Sequence, residues 1–203
     1  MDNLLESLLL LLVLLNPFLL IVYLTDVAEK LSLSEFSRVL LRGGFIATAV
    51  FCTFTVLGDA IFSKLMQANF ASFQIFGGVV FMLIGLQFVF RGPAAIELLR
   101  GESEHLAGAI AMPMLIGPGT ISASVLIGQK HDVLPACVTI FSAVFISILI
   151  MIGLKAIHDY VREKNERLID RYVEIAGRIT ALFIGTISVE MIMVGIRSWM
   201  EKF

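Results

Sequence analysis

Long apolar stretches alternate with short polar connectors along the whole chain. The hydrocarbon core of a bilayer is about 30 Å thick, and roughly 20 apolar residues of helix cross it. Six stretches reach that length, and we number them span one to span six in chain order: 4–24, 43–62, 70–90, 106–127, 133–157 and 173–196. The pattern predicts an all-α membrane protein with six transmembrane helices.

The composition supports lipid as the solvent for these spans. Hydrophobic residues make up 58% of the 203 positions and charged residues only 16%, and the mean hydropathy is +0.94. A soluble domain of this size would need more polar side chains to cover its surface. The net charge of −2 gives no reason to expect nucleic acid as a partner, since that would need a concentrated basic surface.

Basic residues predict which way the chain sits in the membrane. Cytoplasmic connectors carry an excess of Lys and Arg. Eleven of the fifteen Lys and Arg residues lie in or beside the connectors that follow spans one, three and five: Lys30, Arg38, Arg42, Arg91, Arg100, Lys155, Arg162, Lys164, Arg167, Arg171 and Arg178. We therefore expect these connectors in the cytoplasm and both termini outside it.

An internal repeat organises the six spans. Residues 74–78 of span three read Gln-Ile-Phe-Gly-Gly, and residues 174–178 of span six read Glu-Ile-Ala-Gly-Arg. Ile84-Gly85 and Ile184-Gly185 follow at the same offset of 100 residues. Because each half would hold three spans, the second half must enter the membrane from the opposite side. The chain is predicted to form two inverted three-helix repeats, 1–100 and 101–203, in one membrane domain.

The first span of each half carries a matched interruption. Asn16-Pro17 in span one and Gly117-Pro118 in span four are offset by 101 residues. Proline has no N–H and clashes with the preceding turn, so it breaks a helix, and the freed backbone groups must be buried in protein or face a water-filled cavity. Half-helix N-termini at such breaks favour a carboxylate. A proline kink that only shapes packing is the alternative.

Polar residues within the spans are the second indication of function, because each is costly in hydrocarbon. Gln87 lies towards the end of span three, and Glu190 lies deep in span six. Three roles stay open for Glu190. It could couple transport to a proton, contact a substrate amine, or be a neutral acid that is hydrogen-bonded to a neighbouring helix.

Residues 111–121, which read Ala-Met-Pro-Met-Leu-Ile-Gly-Pro-Gly-Thr-Ile, resemble the signature of the MarC family of bacterial and archaeal membrane proteins. Asn16-Pro17, residues 75–78 and residues 189–196 are similar to that family too. The resemblance implies six spans, an inner-membrane location and uptake of small neutral amino acids such as glycine or alanine. The chain departs from the family pattern after Pro17, where residues 18–22 read Phe-Leu-Leu-Ile-Val, and at Glu190, where glutamine is usual.

The predicted function is secondary transport of a small neutral amino acid by alternating access. The predicted substrate-binding residues at the membrane midplane are Asn16, Pro17, Gly117, Pro118, Gly119, Thr120, Gln87 and Glu190. No enzymatic activity, cofactor or metal is expected. Coupling to H⁺ or Na⁺, the oligomeric state, and the alternatives of a passive channel or an exporter of a different metabolite stay open.

Overall fold

The computed structural model describes residues 2–24, 31–65, 67–91, 115–162 and 166–201. These residues form α-helices joined by short turns, and none of them lies in a strand. The helices are α1 (Asp2–Leu15), α2 (Pro17–Tyr23), α3 (Leu33–Ala60), α4 (Phe70–Arg91), α5 (Pro118–Lys130), α6 (Val133–Arg162) and α7 (Glu166–Met200). A π-helical turn, Ile61–Leu65, continues α3.

Four of these helices are long and apolar enough to cross a membrane. Their apolar segments are Leu33–Gly58, Phe70–Gln87, Val133–Val161 and Ala181–Met200, which correspond to spans two, three, five and six. Span one is divided into α1 and α2. The second half of span four is α5, while its first half, up to Met114, lies outside the described residues.

The start of α3 differs from the prediction. The helix begins at Leu33, ten residues before the predicted start of span two, because Ser32 and Glu35 form a capping box. The Glu35 N–H donates to Ser32 Oγ over 3.3 Å, and the Ser32 N–H donates to Glu35 Oε2 over 3.0 Å. Hydropathy finds the part of a helix that lies in lipid, whereas capping side chains set where the helix starts.

Helices α3 and α6 pack against each other in antiparallel directions. Three contacting pairs mark their register: Phe36 with Lys155, Gly44 with Ile148, and Cys52 with Cys137. Residue numbers rise along α3 as they fall along α6, so the start of one helix lies beside the end of the other. Gly44 also contacts Val144.

Helices α4 and α7 form a second antiparallel pair, which is held by small residues. Three contacting pairs mark this register: Ala71 with Gly195, Gly78 with Ser188, and Gly85 with Gly185. A Cβ on Gly78 would lie 2.7 Å from the Ser188 carbonyl oxygen. Small residues allow two backbones to approach this closely inside a membrane, where dispersion forces hold helices together.

The broken spans pack against helices of the other half of the chain. Helices α1 and α2 contact α6, and α2 also contacts α7, while α5 contacts α3 and α4. Their buried side chains join one apolar core that includes Leu11, Leu15, Phe51, Ala123 and Ile140. The two halves therefore interleave within a single packing unit.

The start of α1 and the end of α7 lie at the same end of the bundle. Ser7 Oγ lies 3.0 Å from His131 Nε2, so α1 starts beside the turn between α5 and α6. Ala71 contacts Gly195, so α7 ends beside the start of α4. Because α3 and α6 pack in antiparallel directions, the turn before α6 lies beside the end of α3, and α4 follows α3 in the chain. The turn before α6 and the start of α4 are therefore at the same end of the bundle.

Gly128 provides a test of this packing. A Cβ at this position would overlap the Thr55 backbone carbonyl of α3, whereas a Cβ at Gly153 on α6 would meet nothing within 4 Å. We expect Gly128→Ala to lower the free energy of unfolding by about 1–3 kcal/mol through overpacking. Gly153→Ala should leave it unchanged or raise it by up to about 1 kcal/mol.

Thermal unfolding of the purified protein in detergent measures both variants. An unchanged melting temperature for Gly128→Ala would contradict the close crossing of α3 and α5.

Candidate substrate site at the broken spans

Asn16 separates α1 from α2 by its backbone conformation. Its φ is 41°, in the left-handed region, which Asn adopts more readily than most residues with a Cβ. The Asn16 N–H donates to the Leu12 carbonyl over 3.0 Å, and the Leu20 N–H donates to the Asn16 carbonyl over 3.1 Å. Asn16 therefore ends one helix and begins the next.

A cavity of about 440 Å³ lies beside this break. Pro17 has no N–H, so the Val13 carbonyl loses its usual helical donor. The side chains around the break are almost all apolar and come from α1, α2, α6 and α7: Leu9, Leu12, Val13, Asn16, Pro17, Phe18, Ile150, Ile179, Phe183 and Ile187. The cavity is therefore an apolar groove, and its polar part is the interrupted backbone at Asn16 and Pro17.

The second break begins α5 with proline in its first turn. Gly117 has extended backbone, with φ −102° and ψ 166°. Pro118 fits the first helical position, because the N–H it lacks would have no helical partner there. The Gly117 N–H donates to Thr120 Oγ1 over 2.9 Å, and the Thr120 hydroxyl lies 2.9 Å from the carbonyls of both Leu115 and Gly117. Thr120 thus satisfies the backbone that the break exposes.

Two large side chains cover the start of α5. The ring of Phe81, on α4, lies 3.2 Å from where a Cβ of Gly117 would be and 2.8 Å from that of Gly119. Met191, on α7, places its Sδ 3.3 Å from the same point at Gly119. Gly77 lets Pro118 pack directly against α4. The turn is closed by close contacts that only glycine permits.

Helix α5 is polar although it is buried. Thr120, Ser122 and Ser124 are each at most 5% exposed. Ser124 Oγ donates to the Thr120 carbonyl over 2.7 Å, and Thr55 of α3 donates to the Ser124 carbonyl over 3.0 Å. Among the described residues, Ser122 Oγ has no hydrogen-bond partner. A helix with this composition would be costly in lipid, so α5 is built for the protein interior.

Gln87 and Glu190 lie apart from this closed turn. Gln87 is six residues beyond Phe81 on α4, about 9 Å along the helix axis. Its Oε1 is buried and has no hydrogen-bond partner in the described part of the chain. Glu190 is exposed on α7, although the next residue, Met191, faces Gly119.

The structure thus brings only some of the predicted site residues together. Gly117, Pro118, Gly119 and Thr120 form one buried turn, while Asn16 and Pro17 line a cavity to which that turn does not contribute. Sequence reasoning missed Gly77, Phe81 and Met191, which close the turn. The small residues in spans three and six were the available signal, since glycine in a membrane helix marks close packing.

The described helices, with large apolar side chains on their outer surface, are those of a multi-pass helical membrane protein. Phe45 is 68% exposed, Leu134 is 75% exposed and Phe90 is 80% exposed. The profile of MarC family integral membrane proteins matches residues 1–200. The chain therefore belongs to the MarC family.

Similar proteins occur in bacteria and archaea. A UPF0056 membrane protein of Aquifex aeolicus is 23% identical over 202 residues, covering 94% of this chain and 91% of the relative. One from Pyrococcus horikoshii is 24% identical, covering 96% and 94%. One from Methanocaldococcus jannaschii is 27% identical, covering 90% of each chain. No solved structure matches the chain.

Thr120 provides a test of the closed turn. Thr120→Val removes the hydroxyl that accepts from the Gly117 N–H and lies beside the Leu115 carbonyl, so both of these backbone groups lose this partner, whereas the Gly117 carbonyl keeps the Ile121 N–H. We expect the free energy of unfolding to fall by about 1–3 kcal/mol. Thr120→Ser keeps the hydroxyl and should retain most of the stability, as measured by thermal unfolding in detergent. A loss in Thr120→Ser with none in Thr120→Val would show that the methyl group, not the hydroxyl, stabilises the turn.

Proposed function

We propose that the chain is a secondary transporter of small neutral amino acids, such as glycine or alanine, that works by alternating access. It would have six spans in two inverted repeats, lie in the inner membrane and hold both termini outside the cytoplasm. The observation that carries the proposal is the buried, polar start of α5 at the break in span four. The substrate is a small zwitterion, and no enzymatic step is part of the proposal.

Contacts between equivalent residues support the inverted repeat. If residue i of the first half corresponds to residue i+100 of the second, a two-fold axis in the membrane brings equivalent residues together where it crosses the bundle. Gly85 contacts Gly185, and Gly44 contacts Val144. Both contacts lie between antiparallel helices, as the repeat requires.

The start of α5 is suited to a carboxylate. The first N–H groups of a helix lack helical acceptors and carry the positive end of the helix dipole. The Gly117 N–H is bonded to Thr120, and the N–H groups of Gly119 and Thr120 are the donors that would bind the carboxylate of the substrate. Because Phe81 packs on both glycines, only a small side chain would fit beside the bound carboxylate.

The amine of the substrate needs an acceptor. Gln87 Oε1 suits this role, because it is a buried carbonyl oxygen with no partner among the described residues and an ammonium has only donors. Movement of one half against the other would have to bring it closer to α5. Asn16 and the backbone at Pro17 would complete the site from span one, and Glu190, which is exposed, would stay outside it in this arrangement.

The apolar groove favours a second candidate, an exporter of a different, more hydrophobic metabolite. Its lining of Leu, Val, Ile and Phe side chains suits an apolar ligand better than a zwitterion. The same lining counts against a passive channel at this place, since a channel needs a continuous polar path.

Counterflow in proteoliposomes tests the proposal. Vesicles loaded with unlabelled glycine or alanine should accumulate the labelled amino acid transiently and with saturation, which a carrier does and a pore does not. Counterflow of leucine or phenylalanine alone would favour the second candidate. No counterflow across a broad amino-acid panel would contradict amino-acid transport.

Phe81→Ala refines this test. The substitution removes the ring that packs on Gly117 and Gly119. It should therefore extend counterflow from glycine and alanine to larger neutral amino acids. Phe76→Ala on the same helix is the matched control, because Phe76 is 64% exposed, and it should leave selectivity unchanged. Unchanged selectivity in Phe81→Ala would place the substrate site elsewhere.

A further inference from the structure

The end of α6 holds a partly buried cluster of ionisable side chains that lies apart from the broken spans. Lys155 is 1% exposed, and its Nζ bonds to Asp159 Oδ1 and Oδ2 over 2.9 and 2.8 Å. The ammonium also lies 5.7 Å from the centre of the Phe36 ring of α3. Hydropathy assigns residue 158 to a connector, but the structure places it within α6.

His158 is the unusual member of the cluster. Its Nδ1 lies 3.5 Å from Asp159 Oδ1, and its side chain is 13% exposed. Its Nε2 is buried, with no hydrogen-bond partner in the part of the chain that the structure describes. If Nδ1 carries the proton and faces the carboxylate, Nε2 presents a lone pair to the protein interior. A buried polar atom without a partner is costly, so it calls for an explanation, and a functional role is one.

We propose that Lys155, His158 and Asp159 form a proton-exchange site, with His158 Nε2 as the group that takes up the proton. Asp159 is 44% exposed, so the cluster has access to water at the basic end of the bundle. Because Nε2 itself is buried, a proton from this water would bind its lone pair when local opening of the end of α6 exposes that atom, and the Asp159 carboxylate beside Nδ1 would stabilise the resulting imidazolium. The proton returns to water when the imidazole becomes neutral again.

The same geometry argues against Na⁺ at this place. A hard cation needs several oxygen ligands, but both oxygens of Asp159 already accept from the Lys155 ammonium. Replacing that ammonium would leave a buried positive charge without its partner. Histidine, in contrast, exchanges protons in the physiological pH range.

Few other charges reach this cluster among the side chains that the structure describes. Helix α3 presents Phe36 to it, and Glu35, Arg38 and Arg42 of that helix are exposed, as are Arg171 and Arg178 of α7. Helix α2 has Tyr23 as its one titratable residue. The charged residues of α1 and α5 are Asp2, Glu6 and Lys130, which lie at the opposite end of the bundle. Among the described side chains, Asp159 is therefore the charged group beside the His158 ring, and Lys155 is bonded to the same carboxylate.

Histidine NMR of the protein in nanodiscs tests the site without any substrate. The His158 ring signals, assigned by their loss in His158→Gln, should change from those of a neutral ring to those of a ring protonated at both nitrogens as the buffer is taken from alkaline to acidic pH. Asp159→Asn removes the carboxylate that lies beside the ring, so the pH dependence of the His158 signals should change. A ring that keeps one protonation state over this range, or a titration that Asp159→Asn does not move, would overturn the proposal.

Transport gives a second measurement, which rests on the proposed function. In His158→Gln, uptake driven by a pH gradient should fall to the level without a gradient, while counterflow, which needs no gradient, should continue. His131→Gln, at the opposite end of α6, should leave both unchanged. Gradient-driven uptake that survives in His158→Gln would overturn the proton site alone. Absence of counterflow in the unaltered protein would instead refute amino-acid transport and leave the NMR result to decide the proton site.

Discussion

The backbone of a broken helix cannot be left without hydrogen-bond partners in hydrocarbon, and the rest of the structure depends on this constraint. Each unsatisfied N–H or C=O group in lipid costs several kcal/mol. At span four, Thr120 supplies both a donor and an acceptor to the exposed backbone. At span one, Asn16 adopts a left-handed conformation that lets one helix end and the next begin with a single residue between them. Both breaks also need protein around them.

The two halves of the chain interleave, and each half surrounds the break of the other with packed helices. Helices α1 and α2 lie against α6, and α5 lies against α3 and α4, so each broken span is covered by helices of the other half. Glycines at the contacts allow the approach, above all Gly77 against Pro118 and Gly128 against Thr55. Movement of one half against the other would therefore change the surroundings of both breaks together, which is what a carrier with a central site requires.

The sequence predicted the spans and the breaks better than it predicted the surroundings of the breaks. Hydropathy and proline chemistry are local, so spans two, three, five and six and the interruptions at Asn16 and Gly117 could be located from short windows. Phe81 and Met191 lie 36 and 74 residues from Gly117 in the chain, and only tertiary packing brings them to it. Glu190 lies in an apolar stretch but on the exposed side of α7, because depth along a span does not determine which way a side chain faces. Lys155 shows the reverse case, since packing against Phe36 buries a charge near the end of a span.

Amide hydrogen exchange in nanodiscs tests most directly whether the two breaks form a hydrated substrate site. The amides at residues 18–19 and 119–120, in the first turns of α2 and α5, should exchange faster than those in the middle of α6, because a site open to substrate also admits water. A transported amino acid should slow exchange at both breaks at once. Exchange at the breaks as slow as in the middle of α6, or rates that a transported amino acid leaves unchanged, would contradict the account.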